Sequence, residues 1–246
     1  MIRLFPLIII NREIMNRKIL ITALLALVVM AGNAQKKLIR IDSEDIAWQK
    51  DNPQYLFFNK EKARLLMPQA AEFGVECIPS FSPEWSLTYD SVAHTLVYNE
   101  AQKSIWYSTY NAMHKKKTIT KNGRKITKRK LRKHPKDYVA PNVKTYSLTI
   151  SIEQAQMLKD IYSDAIGTSE PREDGMLDGT TWIYFIGEQR AKAHTGSNYN
   201  HYSIVRLANM LVEAVKASDT SRCDSLIGEE FHRVVANLEI VPNQKE

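Results

Sequence analysis

Alternation with a period of two is the feature that most limits the folds open to this chain. Between residues 75 and 98, apolar side chains recur at every second position: Val75 and Cys77, then Trp85, Leu87 and Tyr89, then Leu96 and Tyr98. An extended strand gathers such residues on one face, whereas a helix scatters them. The connections are short and Asp90-Ser91 offers a turn, so an antiparallel meander is expected. The same alternation predicts a strand in KSIWYST, with Ile105 and Tyr107 on one face and Trp106 and Tyr110 on a wetter one. It returns over residues 143–150, where Tyr146, Leu148 and Ile150 share a side. Residues 181–186 are apolar on both faces, which suits a central strand. Residues 190–194 can pair with them across Gly187-Glu188-Gln189.

Helical periodicity appears elsewhere. Residues 59–66 read as a short helix, with Asn59 at its N-cap and Pro68 limiting it. Ser151 and Gln154 have capping-box spacing ahead of a stripe of Leu158, Ile161 and Ala165, and Gly167 supplies the stop. Two amphipathic helices finish the chain. The first places Ile204, Leu207, Leu211 and Val215 on one stripe, and the second Ile227, Phe231, Val234 and Leu238. Strands followed by a helix, a hairpin and two helices indicate an α+β domain, its helices covering one face of a mostly antiparallel sheet.

Charge is distributed unevenly. The chain carries +7 overall, yet residues 114–136 hold twelve Lys and Arg and no acid. Their centre, TITKNGRKIT, is nearly mirror-symmetric about Asn122-Gly123, the pair preferred in a type I′ turn because both positions need positive φ. Pairing outward sets Lys121 opposite Arg124, Thr120 opposite Lys125 and Ile119 opposite Ile126. A projecting basic β-hairpin is therefore expected, inserted in the domain over residues 114–136. Cations at this density attract polyanions by counterion release. Lys121, Arg124, Lys125, Lys128, Arg129 and Lys130 are the candidate anion-binding residues. A solvated hairpin that only resists edge-to-edge aggregation is the simpler alternative.

Residues 15–35, MNRKILITALLALVVMAGNAQ, have the layout of a secretory signal peptide. Arg17 and Lys18 head a run of twelve uncharged residues, and Gly32, Asn33 and Ala34 form the small-residue exit. The expected start is Met15, with cleavage after Ala34; the run is well short of the ~20 residues a membrane-crossing helix needs. Position 35 is Gln, so the lipid-attachment Cys of a lipoprotein is missing. Removal of 1–34 leaves residues 35–246, with 30 basic and 26 acidic residues. Outside 114–136 those numbers become 18 and 26, so a mildly acidic body carries one basic appendage. An exported protein meets anionic lipid or acidic polysaccharide rather than a genome, so nucleic acid is not the expected partner. In an oxidising compartment Cys77 and Cys223, the only two cysteines, are candidates for a disulfide; a free Cys77 buried beside Val75 is the alternative.

The leader ending AGNAQ, the segment IPSFSPEWSLTYD and the segment LDGTTWIYF ahead of a Leu-rich helix resemble uncharacterised secreted or periplasmic proteins of Bacteroidetes-type bacteria. That resemblance implies a cell-envelope setting and no catalytic residue.

Signatures of chemistry are missing: no G-x-S-x-G, Ser-x-x-Lys, H-E-x-x-H, C-x-x-C or phosphate-cradling loop occurs. No cofactor and no metal site is expected. The expected function is non-catalytic, a binding or structural role at the envelope with the hairpin as contact. The alternative is an envelope hydrolase or metal-dependent enzyme drawing on His194, His201 and Glu230. The acidic turns around Glu170, Glu173, Asp174 and Asp178 lack calcium-loop spacing. Aromatics in antiparallel strands mostly fill cores and cross-strand pairs; a platform for sugar rings built from Trp85, Trp106, Tyr107 and Tyr110 is the alternative, with Trp106 on the wetter face the one to examine.

Overall fold

The period-two segments form strands, and short turns pair most of them with their sequence neighbours. The computed structural model of the protein describes residues 37–41, 51–121, 124–170, 179–195 and 203–239. The leader with Met15, the Asn122-Gly123 turn, residues 171–178 and His201 lie outside the described residues. In chain order the elements are β1 (Ile39–Arg40), α1 (Pro53–Leu66), β2 (Ala71–Ile78), β3 (Trp85–Asp90), β4 (Thr95–Ala101), α2 (Ile105–Met113), β5 (His114–Lys121) and β6 (Arg124–Leu131). They continue with β7 (Val143–Thr149), α3 (Ile152–Gly167), β8 (Thr180–Ile186), β9 (Gln189–Thr195), α4 (Ser203–Ala217) and α5 (Thr220–Glu239). Seven strands make one sheet in the order β1-β9-β8-β2-β3-β4-β7, antiparallel at every step, while β5 and β6 form a separate pair. The α+β expectation therefore holds.

Register explains the main core. Val75 lies opposite Leu87 and Tyr184, and Cys77 opposite Trp85 and Trp182, so their side chains share one face. On that face Leu158, Ile161 and Tyr162 of α3, Leu207, Leu211 and Val215 of α4, and Cys223 and Ile227 of α5 complete a continuous apolar cluster. Of the helix stripes expected from sequence, Leu158, Ile161, Ile204, Leu207, Leu211, Val215 and Ile227 are buried, Ala165, Phe231 and Val234 pack half-buried against the core, and the side chain of Leu238 lies outside the described residues. The capping box of α3 forms as expected, with Ser151 Oγ accepting from Gln154 N–H and Gln154 Oε1 accepting from Ser151 N–H.

Helices cover both faces of the sheet, not one. The second face presents Glu76, Ser86 and Asn99, which by alternation alone resemble a wet surface. α1 lies across them. The Leu66 carbonyl at its C-terminal end accepts from Ser86 Oγ at 2.6 Å and from Asn99 Nδ2 at 2.8 Å. Lys62 forms an ion pair with Glu76 in which both side chains are buried. Phe58 and Leu66 of α1, Ala101 of β4 and Ile105 of α2 add a small second apolar cluster. Polar strand residues are buried here because the helix supplies their partners.

Two local expectations are corrected. α1 begins seven residues earlier than predicted, with Asn52 as N-cap accepting from Gln54 N–H at 3.0 Å and Pro53 in the first turn, where its missing N–H costs nothing. The segment KSIWYST is helical rather than extended. Ser104 Oγ caps α2 by accepting from Tyr107 N–H at 3.2 Å, and the buried Glu84 carboxylate accepts from Ile105 N–H at 2.6 Å and Trp106 N–H at 2.9 Å. With those donors satisfied by a residue outside the segment, Ile105, Thr109, Ala112 and Met113 become the buried helix face.

Candidate polyanion-binding surface

α2 runs straight into β5, and β5 pairs with β6 along its whole length. The register is the one the turn residues predict: Lys121 opposite Arg124, Thr120 opposite Lys125, Ile119 opposite Ile126. Nearer α2 it places Lys117 opposite Lys128, Lys116 opposite Arg129 and Lys115 opposite Lys130, three successive all-cation pairs. Sequence reasoning named individual cations only on the second strand of these pairs; extending its mirror pairing by four residues along each strand reaches Lys115, Lys116 and Lys117. Lys115, Lys116, Lys128, Arg129 and Lys130 are exposed. The side chains of Lys117, Lys121, Arg124 and Lys125 lie outside the described ones.

Like charges directly across a strand pair are destabilising, and a two-stranded sheet is only marginally stable alone. The root of this one is tied to α2. Arg132 N–H donates to the Met113 carbonyl at 2.7 Å, and Lys136 N–H to the Ala112 carbonyl at 3.0 Å. Arg129 lies over the Tyr110 ring at 5.4 Å and donates to the Tyr110 hydroxyl at 3.1 Å. Tyr110 in turn stacks on His114, with centroids 3.9 Å apart, and neighbours Trp106 one helical turn back. Positions 106, 110 and 114 thus form one stripe that holds the cations against the body.

Trp106 is not an open platform. It packs against Tyr55 at 5.0 Å and edge-on against Phe58 at 5.2 Å, in the crevice between α1 and α2. The helical turn, absent from the strand expectation, rotates it inward.

The remaining candidates are dispersed. Cys77 on β2 and Cys223 on α5 are buried free thiols, so the bridge considered from sequence is not formed. Burial holds both protonated, pushing Cys223 up to about 12 and Cys77 further. His194 Nδ1 lies 3.1 Å from Thr181 Oγ1 on the neighbouring strand. Glu230 is held by Arg233, which also donates to Ser203 Oγ at 2.8 Å. Among the described residues, no group of three or more His, Cys, Asp or Glu side chains gathers as metal ligands. None of their helices is long and apolar enough to cross a membrane.

No family model, curated protein or solved structure matches this chain.

Proposed function

We propose that this is an exported, non-catalytic binding protein whose β5–β6 sheet contacts an anionic component of the bacterial envelope. The observation that carries the reading is the succession Lys115–Lys130, Lys116–Arg129 and Lys117–Lys128. Protection of a strand edge does not require cations paired directly across the two strands. Three like-charged pairs in a row add repulsion that a repeating array of phosphates or carboxylates would relieve. Within the ~8 Å screening length of physiological salt, neighbouring cations on two strands act on such an array together. The leader, and the resemblance to secreted proteins of Bacteroidetes-type bacteria, support the envelope as the setting.

The test is binding of the purified protein to vesicles of anionic or zwitterionic phospholipid and to an acidic polysaccharide, across a salt series. Affinity for an anionic target should fall more than about tenfold between about 50 and about 200 mM salt. Replacing Lys115, Lys116, Lys128 and Lys130 by Gln should flatten that dependence. Salt-independent binding, binding untouched by the four replacements, or none to any anionic target would reject the reading. Amino-terminal sequencing of the native protein tests export, with Gln35 expected first.

A further inference from the structure

The two edges of the seven-stranded sheet are finished differently. β1 is two residues long, and its far side is occupied: Arg40 N–H donates to the Glu170 carbonyl at 2.7 Å, and Glu170 N–H to the Leu38 carbonyl at 2.8 Å. β7 is seven residues long and pairs with β4 in unbroken register, from Thr95 opposite Thr149 to Ala101 opposite Val143. Among the described residues, no backbone hydrogen bond other than that ladder involves residues 143–149. Nothing among the described residues pairs with the alternate N–H and C=O groups of the outer side.

Edge strands are normally blunted by charge, proline, a bulge or a covering element. β7 has no proline and no bulge, and Lys144 is its one charge. Lys144, Thr145, Ser147 and Thr149 are exposed, and Tyr146 is half-buried. The β5–β6 pair of the same molecule carries a cation at most positions, so among the described residues β7 is the uncovered edge with least charge.

We infer that β7 pairs antiparallel with β7 of a second copy of this chain, about a two-fold axis at Ser147. A two-fold contact must be self-complementary. Centred on Ser147, the register sets Ser147 against its own copy, Thr145 against Thr149, and Tyr146 against Leu148. Hydroxyl pairs then lie on the face covered by α1, and aromatic–aliphatic pairs on the face of the main core, both of which are favourable across strands. The two Lys144 residues fall six positions apart, about 20 Å, so the single charge meets no like charge. An otherwise uncharged strand gives a peptide of either sign no purchase, which favours self-pairing. The contact joins two sheets into one of fourteen strands and adds a second set of cation pairs to the assembly.

Sedimentation velocity on the intact protein, from about 1 to about 200 µM, tests this. The expected result is a reversible dimer. Ser147→Lys and Ser147→Glu each change one exposed side chain, and each alone should weaken association at least tenfold while leaving the far-ultraviolet circular dichroism of the fold unchanged. An equimolar mixture of the two should regain a dimer, because opposite charges then meet at the axis. A wild-type protein that stays monomeric throughout, a dimer insensitive to both substitutions, or a mixture that fails to reassociate would overturn the inference. None of these outcomes bears on anion binding by the β5–β6 sheet.

Discussion

Glu84 and Ile105 are joined by a 2.6 Å hydrogen bond from the Ile105 N–H to the buried Glu84 carboxylate, and that contact starts a helix from twenty-one residues away. The same carboxylate accepts from Trp106 N–H and from the Ser104 hydroxyl. The donors at the first turn of α2 are thereby satisfied without water, and the negative charge sits at the positive end of the helix dipole. Everything the aromatic stripe does for the basic sheet depends on α2 being helical.

Glu84→Ala should therefore destabilise the protein by about 2–3 kcal/mol, since it strips charge-assisted bonds and leaves buried donors without partners. Glu84→Gln should cost less, as its carbonyl oxygen still accepts. Urea unfolding measures both. Loss of order in β5–β6 in the Ala variant, read by amide exchange, should accompany the change.

The Lys62–Glu76 pair ties α1 to the centre of the sheet, with 9% and 5% of the two side chains exposed. Glu76→Leu alone would strand a buried ammonium, at a cost of roughly 3–5 kcal/mol. Lys62→Met should sit at the lower end of that range, because Arg190 remains 3.8 Å from the Glu76 carboxylate. The double replacement should recover most of the loss. A double-mutant cycle by denaturant unfolding reads the coupling.

Gly74→Ala tests the packing of β2 on β3. A Cβ there would lie 2.5 Å from the Leu87 carbonyl oxygen and 2.9 Å from Thr88 Cα, both backbone atoms that have no room to yield. The expected penalty is about 1–3 kcal/mol, as for an overpacked core. Thermal unfolding checks it.

Alkaline pH should weaken the fold. Burial raises the Cys77 and Cys223 thiols from 9.0 and the Tyr162 and Tyr184 hydroxyls from 10.0. Below about 9 both folded and unfolded chains keep these protons, and stability does not depend on them. Above it the unfolded chain ionises first, so the stabilisation is lost progressively, for Cys223 until its folded value of about 12. Urea midpoints should be level up to pH about 9 and decline beyond it. Near pH 8 a thiol reagent should label neither cysteine in the native protein and both in guanidinium.

Much of this architecture is legible before folding. The mirror symmetry around Asn122-Gly123 yields the β5–β6 register, the Ser151 and Gln154 spacing yields the capping box, and the stripes of α4 face the core. The cation pairs at 115–117 and 128–130 follow from the same mirror once it is extended. Tyr110 as the anchor of Arg129 does not, because it requires α2, and α2 requires Glu84. Asn52-Pro53 did carry a helix-start signal, which the more central Asn59 obscured.

Strand period, turn chemistry and caps act over a few residues, so the chain carries them in plain order, and with them come the α+β class, the hairpin register and the apolar side of each strand. Whether a polar face stays wet is a matter of what arrives from elsewhere. Glu76, Ser86 and Asn99 became interior because α1 brought Lys62 and the Leu66 carbonyl to meet them, and Ile105 became helical because Glu84 reached its N–H. Interactions between residues far apart in sequence leave no local period, and folding alone brings them together.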